Sequence, residues 1–186
     1  KGGTLEAKRH LKYFIDKKLN DYSKLRNSPS LDYHSNMSPY LHFGQISPKF
    51  IALKVIESKS PSVEDYLEEL IVRRELSMNF VHYNEYYNTM KCLPDWAYRT
   101  LKKHEDDDRD YIYTKSELEN AETHDKYWNT AQKEMKITGK MHNYMRMYWG
   151  KKIIEWIESP EEAFKIALEL NNKYELDGRD PNSYAG

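Results

Sequence analysis

Residues 141–156 read MHNYMRMYWGKKIIEW. The stretch holds no proline and a single glycine, Gly150, so nothing in it breaks a helix outright. Trp149 and Trp156 stand seven positions apart, two α-helical turns, and therefore share one face. The pattern predicts a helix over about 139–157. His142 and Arg146 lie in the same segment among methionines and tyrosines. Two readings are open at this point: a crowded core helix, or the wall of an aromatic cofactor site.

Working outward, a helix is predicted over about 116–134, bringing Trp128 within reach of Trp149 and Trp156 if the two helices pair. On the other side, Ser159, Pro160 and Glu162 combine three signals for a helix start. Near the beginning, Thr4 is a candidate cap for a helix to about residue 19, with Leu11, Phe14, Ile15 and Leu19 on an apolar stripe. Residues 20–47 lack a sustained period and read as an irregular connection of about 25 residues, long enough to suggest a function. Ser47 followed by Pro48 restarts a helix. Ser62 and Asp65 have capping-box spacing ahead of Leu67, Leu70, Ile71 and Phe80 at helical intervals. LPDWAYRTLKK is a further helix start, and KKHEDDDRDY reads as a solvated charged edge. With no alternating strand pattern and no repeat, the fold class is all-α, one helical domain over 1–186. KGGTLEAKRHL enters a helix within a few residues, and ELDGRDPNSYAG stops in a turn-rich segment. A domain truncated at both ends is expected.

Hydrophobic residues make up 39% of the chain and charged residues 32%, enough for a packed core under a heavily charged surface. The formal net charge is -1, so nucleic acid would be held only by a local basic patch. A single cysteine, Cys92, excludes a disulfide framework and a multi-thiolate metal site. No apolar run is long enough to span a bilayer and no signal-peptide pattern opens the chain, so no membrane association and an intracellular setting, cytoplasmic or nuclear, are expected, for a monomer. Tyr 16 and Trp 4 against Phe 5 favour aromatics with a polar handle, suited to a wet groove.

Among chemistry-bearing patterns, no metal site is expected: the histidines include no HExxH and no pair at helical spacing. Neither common glycine-rich phosphate loop is present. Ser35, Asn36 and Ser38 could hold a pyrophosphate at a helix entrance, or merely cap a turn. Glu68, Glu69 and Glu75, with Arg73 and Arg74 beside them, read either as acid/base candidates or as surface pairs. Three indoles along one helix seam could relay electrons, or only fill a core.

SNMSPYLHFGQISP, ELIVRRELSMNF, KMHNYMRMYWGKKIIEW and ELDGRDPNSYAG, in this order, resemble the C-terminal flavin domain of the class II cyclobutane pyrimidine dimer photolyases, within the photolyase/cryptochrome superfamily. The resemblance covers essentially the whole chain. It implies a helical FAD-binding domain, non-covalent FAD, and light-driven repair of UV-induced pyrimidine dimers in DNA by electron transfer from the excited reduced flavin. The other function it admits is a cryptochrome-like flavin photoreceptor acting through partner proteins. A separate antenna domain with its own chromophore is expected outside this chain. The resemblance further implies Ser35, Asn36, Met37 and Ser38 around the FAD phosphates and ribityl chain. It implies Arg146, paired with Asp177, near the flavin ring and Asn171 facing flavin N5. It implies that Glu69 hydrogen-bonds the dimer, that Arg26 and Asn27 line the substrate side, and that Met147 packs against the dimer. By the same resemblance Trp149, Trp128 and Trp156 are expected to form the electron relay, in that order from flavin to surface. Position 73 is Arg where some relatives place an aromatic, so no base stacking is assigned there.

Overall fold

A computed structural model describes residues 1–185 and divides into two compact units, Lys1–Asn79 and the remainder from Phe80. Among the described residues there is no strand, and no helix is long and apolar enough to cross a membrane.

The first unit opens with α1, Thr4–Lys17, which turns Ala7, Leu11 and Phe14 inward at helical spacing. Thr4 is not the cap: Gly3 occupies that position and makes no side-chain cap bond, so Thr4 is already helical. A short 3-10 turn, Leu19–Asp21, leads to α2, Tyr22–Leu25. The predicted irregular stretch also contains α3, Ser38–His42. In α4, Pro48–Glu57, Ser47 accepts the Phe50 N–H as predicted. The long predicted helix after Ser62 is three segments: α5, Val63–Leu67; a π turn, Glu68–Arg73; and α6, Arg74–Tyr83. Ser62 does not cap it. The side chain is wholly buried, and Oγ accepts the Ser23 N–H at 3.2 Å and lies 3.3 Å from the Asn20 carbonyl. A tertiary partner has replaced the local one. The core is aromatic at its centre: Phe14, Tyr22 and Tyr66 meet pairwise with centroids 4.9–5.7 Å apart. Leu11, Leu19, Ile51 and Val55 fill the space around them, each worth about 1.5–3 kcal/mol when fully buried.

In the second unit, α7, Asp95–Lys103, buries no residue. The predicted 116–134 helix is two. In α8, Lys115–Asn120, Thr114 and Glu117 form a reciprocal capping box, and Ala121 at φ 57° ends the helix in the left-handed region. Asp125 then caps α9, Lys126–Thr138, accepting the N–H groups of Tyr127 and Trp128 at 2.8 and 3.0 Å. A strong cap and a left-handed residue four positions apart outweigh the helical period across them. Gly139 at φ 72° closes α9, so the next helix starts later than predicted: α10 is Asn143–Trp156, with His142 Nδ1 accepting the Tyr144 N–H. In α11, Pro160–Tyr174, Ser159 accepts the Glu162 N–H as predicted. The described chain ends in α12, Pro181–Ala185. Its core centres on Trp128, Trp156, Ile153, Ile166 and Leu170.

Candidate functional site

The candidate residues fall into clusters within each unit. In the first, Glu69 sits in the π turn, where an extra residue swells the helix and re-aims side chains. Its Oε1 accepts from Arg26 Nη1 at 2.8 Å. Arg26 also lies 5.4 Å above the Tyr22 ring. Both members of the pair are partly exposed, so the bond contributes at most about 1 kcal/mol and leaves Glu69 accessible. Asn27 follows, exposed to solvent. Arg73 pairs with Glu68 at 3.1 Å on the surface, and Arg74, its side chain largely covered, approaches Glu75 at 3.9 Å.

His34 Nε2 lies 2.9 Å from the Arg26 carbonyl and so ties that segment to the loop at 35–38. There Ser35 Oγ accepts the Met37 N–H at 3.4 Å, and Asn36 holds φ 57°, a conformation that asparagine tolerates better than most residues. Met37 is buried, while Ser38, the first residue of α3, is exposed. Ser35 is thus engaged in the turn, and Ser38 is the exposed polar group of the loop.

In the second unit, Arg146 Nη2 donates to Asn171 Oδ1 at 2.7 Å. Arg146 is half-buried on α10 and Asn171 is buried on α11. The sequence reading paired Arg146 with Asp177; the structure gives it this amide partner, and the neighbouring carboxylate is Glu175, whose charge Arg146 offsets. Asp177 lies just beyond and is hydrogen-bonded to Glu175. Met147, next on α10, is exposed. A guanidinium beside a carboxamide is a donor set that suits an electron-rich ring presenting carbonyl and nitrogen acceptors.

Glu175 was not singled out from the sequence. It is buried and accepts the Met141 N–H at 3.0 Å. Burial pushes its carboxyl up from 4.5 to about 7, against the pull of Arg146. Between those pH values the folded chain keeps a proton that the unfolded chain has released, so this group lowers stability as pH rises through the window and adds nothing further above it. The loss is on the order of 3 kcal/mol. A Glu175→Gln variant keeps an acceptor for Met141 but has no charge to bury. Relative to the parent, its unfolding free energy is expected to improve by about 1–3 kcal/mol on going from pH 4 to pH 8. Urea unfolding at the two pH values measures this; an unchanged difference contradicts it.

The indoles form an ordered series. Trp128 stacks on Trp149 with centroids 6.3 Å apart and planes 7° apart. It meets Trp156 edge-on at 5.5 Å. The rings therefore follow one another as Trp149, Trp128, Trp156, with the α9 indole between two from α10. Trp128 Nε1 donates to the Trp149 carbonyl at 3.0 Å, and Trp149 Nε1 to Gln132 Oε1 at 2.8 Å. Gln132, one turn after Trp128, is fully buried and was readable as its neighbour on the helix face. One expectation differs. Trp156 is 1% exposed, so the three tryptophans do not themselves reach the surface. The ring path continues to Tyr113 at 5.3 Å and His124 at 5.4 Å.

No protein-family model matches the chain. Over 186 residues it is 58% identical to the deoxyribodipyrimidine photo-lyase of Methanothermobacter thermautotrophicus, covering 100% of this chain and 41% of that protein. It is 50% identical over 177 residues to the protein of the same name from Arabidopsis thaliana, covering 93% and 36%. It is 44% identical over 189 residues to that from Potorous tridactylus, covering 100% and 36%. A solved class III photolyase from Agrobacterium tumefaciens shares the fold with a TM-score of 0.76 at 21% identity, over 98% of this chain and 36% of that one. The chain thus spans about two fifths of the length of the curated relatives it matches. Sustained identity with proteins from an archaeon, a plant and a marsupial, on an all-helical fold shared with a solved photolyase, makes this chain a member of the deoxyribodipyrimidine photo-lyase family.

Proposed function

We propose that this chain is the flavin- and lesion-binding part of a light-driven DNA-repair enzyme that splits cyclobutane pyrimidine dimers. The observation that carries the reading is the unbroken ring adjacency Trp149–Trp128–Trp156 in a member of this family. When bound, FAD supplies light absorption and the one-electron chemistry that opens the cyclobutane ring. The rest falls to side chains. Asn36 and Ser38 bind the cofactor's phosphates and ribityl chain, with Ser35 and Met37 shaping the turn. Arg146 and Asn171 orient the ring and favour its anionic form through charge and hydrogen bonding. Asp177 supports them from beyond Glu175. Glu69 offers a hydrogen bond to a dimer flipped out of the duplex, held in place by Arg26, with Asn27 beside it on the same side. A damaged pair is already weakened, which reduces the cost of extrusion.

DNA is held through local cations, since the whole chain is nearly neutral. Arg26 is committed to Glu69 and the Arg74 side chain is largely covered, so Lys24 and Arg73 are the more exposed contributors. Affinity is expected to fall with salt, and Lys24→Ala and Arg73→Ala are each expected to reduce the log–log salt slope by about 1. A fluorescence-anisotropy titration across salt concentrations checks this; salt-independent binding contradicts it.

The reading itself is tested by light. Flavin-loaded protein should remove pyrimidine dimers from UV-irradiated DNA under blue light and not in the dark. Flavin binding without dimer loss would favour the cryptochrome-like photoreceptor instead.

A further inference from the structure

The Trp149 end of the indole series is held by an amide whose orientation is fixed. Trp149 Nε1 donates to Gln132 Oε1 at 2.8 Å, and both side chains are buried. On its other side Gln132 Nε2 donates to the Glu119 carbonyl at 3.4 Å. A flipped amide would set Nε2 against the indole N–H and Oε1 against a carbonyl, two repulsions in a dry interior. Lys136, one turn further along α9, donates Nζ to the same carbonyl at 2.7 Å. The contacts run from indole N–H through amide and carbonyl to an ammonium, and this path holds no base.

The other two indole N–H groups do not face a base either. Trp128 Nε1 donates to the Trp149 carbonyl at 3.0 Å, and Trp156 Nε1 is buried with no hydrogen-bond partner among the described residues. Asp125, the carboxylate at the head of α9, is taken up by the Tyr127 and Trp128 backbone N–H groups and the Tyr148 hydroxyl. Removing one electron from an indole makes its N–H acidic, in the manner of a carboxylic acid. Water, an imidazole or a carboxylate takes that proton; an amide oxygen accepts a hydrogen bond but is too weak a base to take it. A neutral indolyl radical must regain a proton before it accepts an electron, so proton loss stops a hole where it forms.

We infer that Gln132 is a positioning residue that keeps the Trp149 proton in place while that indole is oxidised. The inference rests on the relay reading above and adds a side chain which that reading does not use. In the step, Trp149 loses one electron to the photoexcited oxidised flavin and becomes a radical cation with its N–H intact. One electron then passes from Trp128 to Trp149, and no bond to hydrogen breaks at either ring. The Gln132 dipole, its oxygen toward the indole, stabilises the positive charge. The wholly buried carboxamide also occupies the place from which water would reach Nε1.

Photoionisation tests this without flavin. Of the four tryptophans only Trp96 lies outside the series; it is 73% exposed on α7, and Trp96→Phe removes its signal. An intense ultraviolet flash ejects an electron from the remaining indoles. Transient absorption then separates the radical cation from the neutral radical, whose visible band lies at shorter wavelength. The Trp96→Phe protein should show the cation, decaying at the same rate in deuterated water. Two further changes in this background put a base in the amide's place. In Gln132→His the ring has one N–H for the Glu119 carbonyl and one basic nitrogen for the indole, and burial favours its neutral form. Gln132→Glu offers a carboxylate, measured at about pH 9 so that it is ionised. Either should convert cation to neutral radical on the order of 10²-fold faster, the scale of a positioned base, and more slowly in deuterated water. A merely structural role for Gln132 moves neither the band nor the isotope effect. A neutral radical at the earliest times in the Trp96→Phe protein overturns the inference, whether or not the other variants fold. Persistence of the cation in both variants, each with the parent's far-UV circular dichroism, overturns it as well. Either failure leaves the photolyase and relay readings standing, whereas loss of light-driven flavin reduction with the cation retained removes the relay reading alone.

Discussion

Replacing Trp149 with phenylalanine is expected to collapse light-driven reduction of oxidised flavin in the flavin-loaded protein, by about 10²-fold or more. An added barrier of about 3 kcal/mol already gives that factor, and a benzene ring is much harder to oxidise than an indole. Trp149 is the ring stacked nearly parallel on Trp128, so its loss removes one whole end of the series. Repair by chemically pre-reduced flavin should largely survive, because it draws no electron through the tryptophans. The change also strips Gln132 Oε1 of its indole donor in a fully buried position, costing about 1–3 kcal/mol of stability. Flavin content must therefore be matched before rates are compared. Transient absorption after a laser flash measures the effect. Photoreduction at the parent rate would reduce the three indoles to packing.

The opposite pattern is expected of Glu69→Ala. Dimer repair should fall on the order of 10²-fold, the usual consequence of losing one hydrogen bond aimed at developing charge, while photoreduction stays at the parent rate. Stability should move by no more than about 1 kcal/mol, because the Arg26–Glu69 pair is partly exposed and Arg26 retains its place over Tyr22. The measurement is dimer loss per absorbed photon with pre-reduced flavin. Equal repair by the variant would remove Glu69 from the lesion site. Together the two substitutions separate the two roles proposed above, relay and lesion contact.

What the sequence made legible was largely local. Ser47 and Ser159 cap as read because each bonds three residues ahead and has no stronger partner. Ser62 carried a similar signal and was claimed instead by Ser23, 39 residues away, which no local pattern encodes. That three indoles could share one seam was readable, because two sit on one helix face and the third needed only direct pairing of α9 with α10; their order came from the family resemblance and not from the period. Glu175 was not, since its altered acidity comes from burial and from Arg146, both products of tertiary structure. Tyr113 and His124 escaped for a different reason. Tyr113 precedes α8 and His124 lies in the turn between α8 and α9, where the periodic reading ran one helix through a real break. The Arg146–Asn171 bond joins two helices whose individual boundaries were nearly right but whose rotation relative to one another was not given by either.

The π turn at Glu68–Arg73 has a genetic consequence. Such a turn is a helix carrying one residue too many, and each residue of a regular α-helix accounts for about 100° of rotation. Loss of a single codon within it would restore an ordinary α-helix; because the bulge absorbs its extra residue, the helices on either side would stay near their present bearing while the residues of the turn itself, Glu69 among them, would be re-aimed. The chain would still be helical and still apolar in composition, yet Glu69 and the segment from Arg74 onward would no longer keep their mutual bearing. Point substitutions along this stretch explore chemistry at fixed aim, whereas a one-residue change in length alters aim at nearly fixed chemistry.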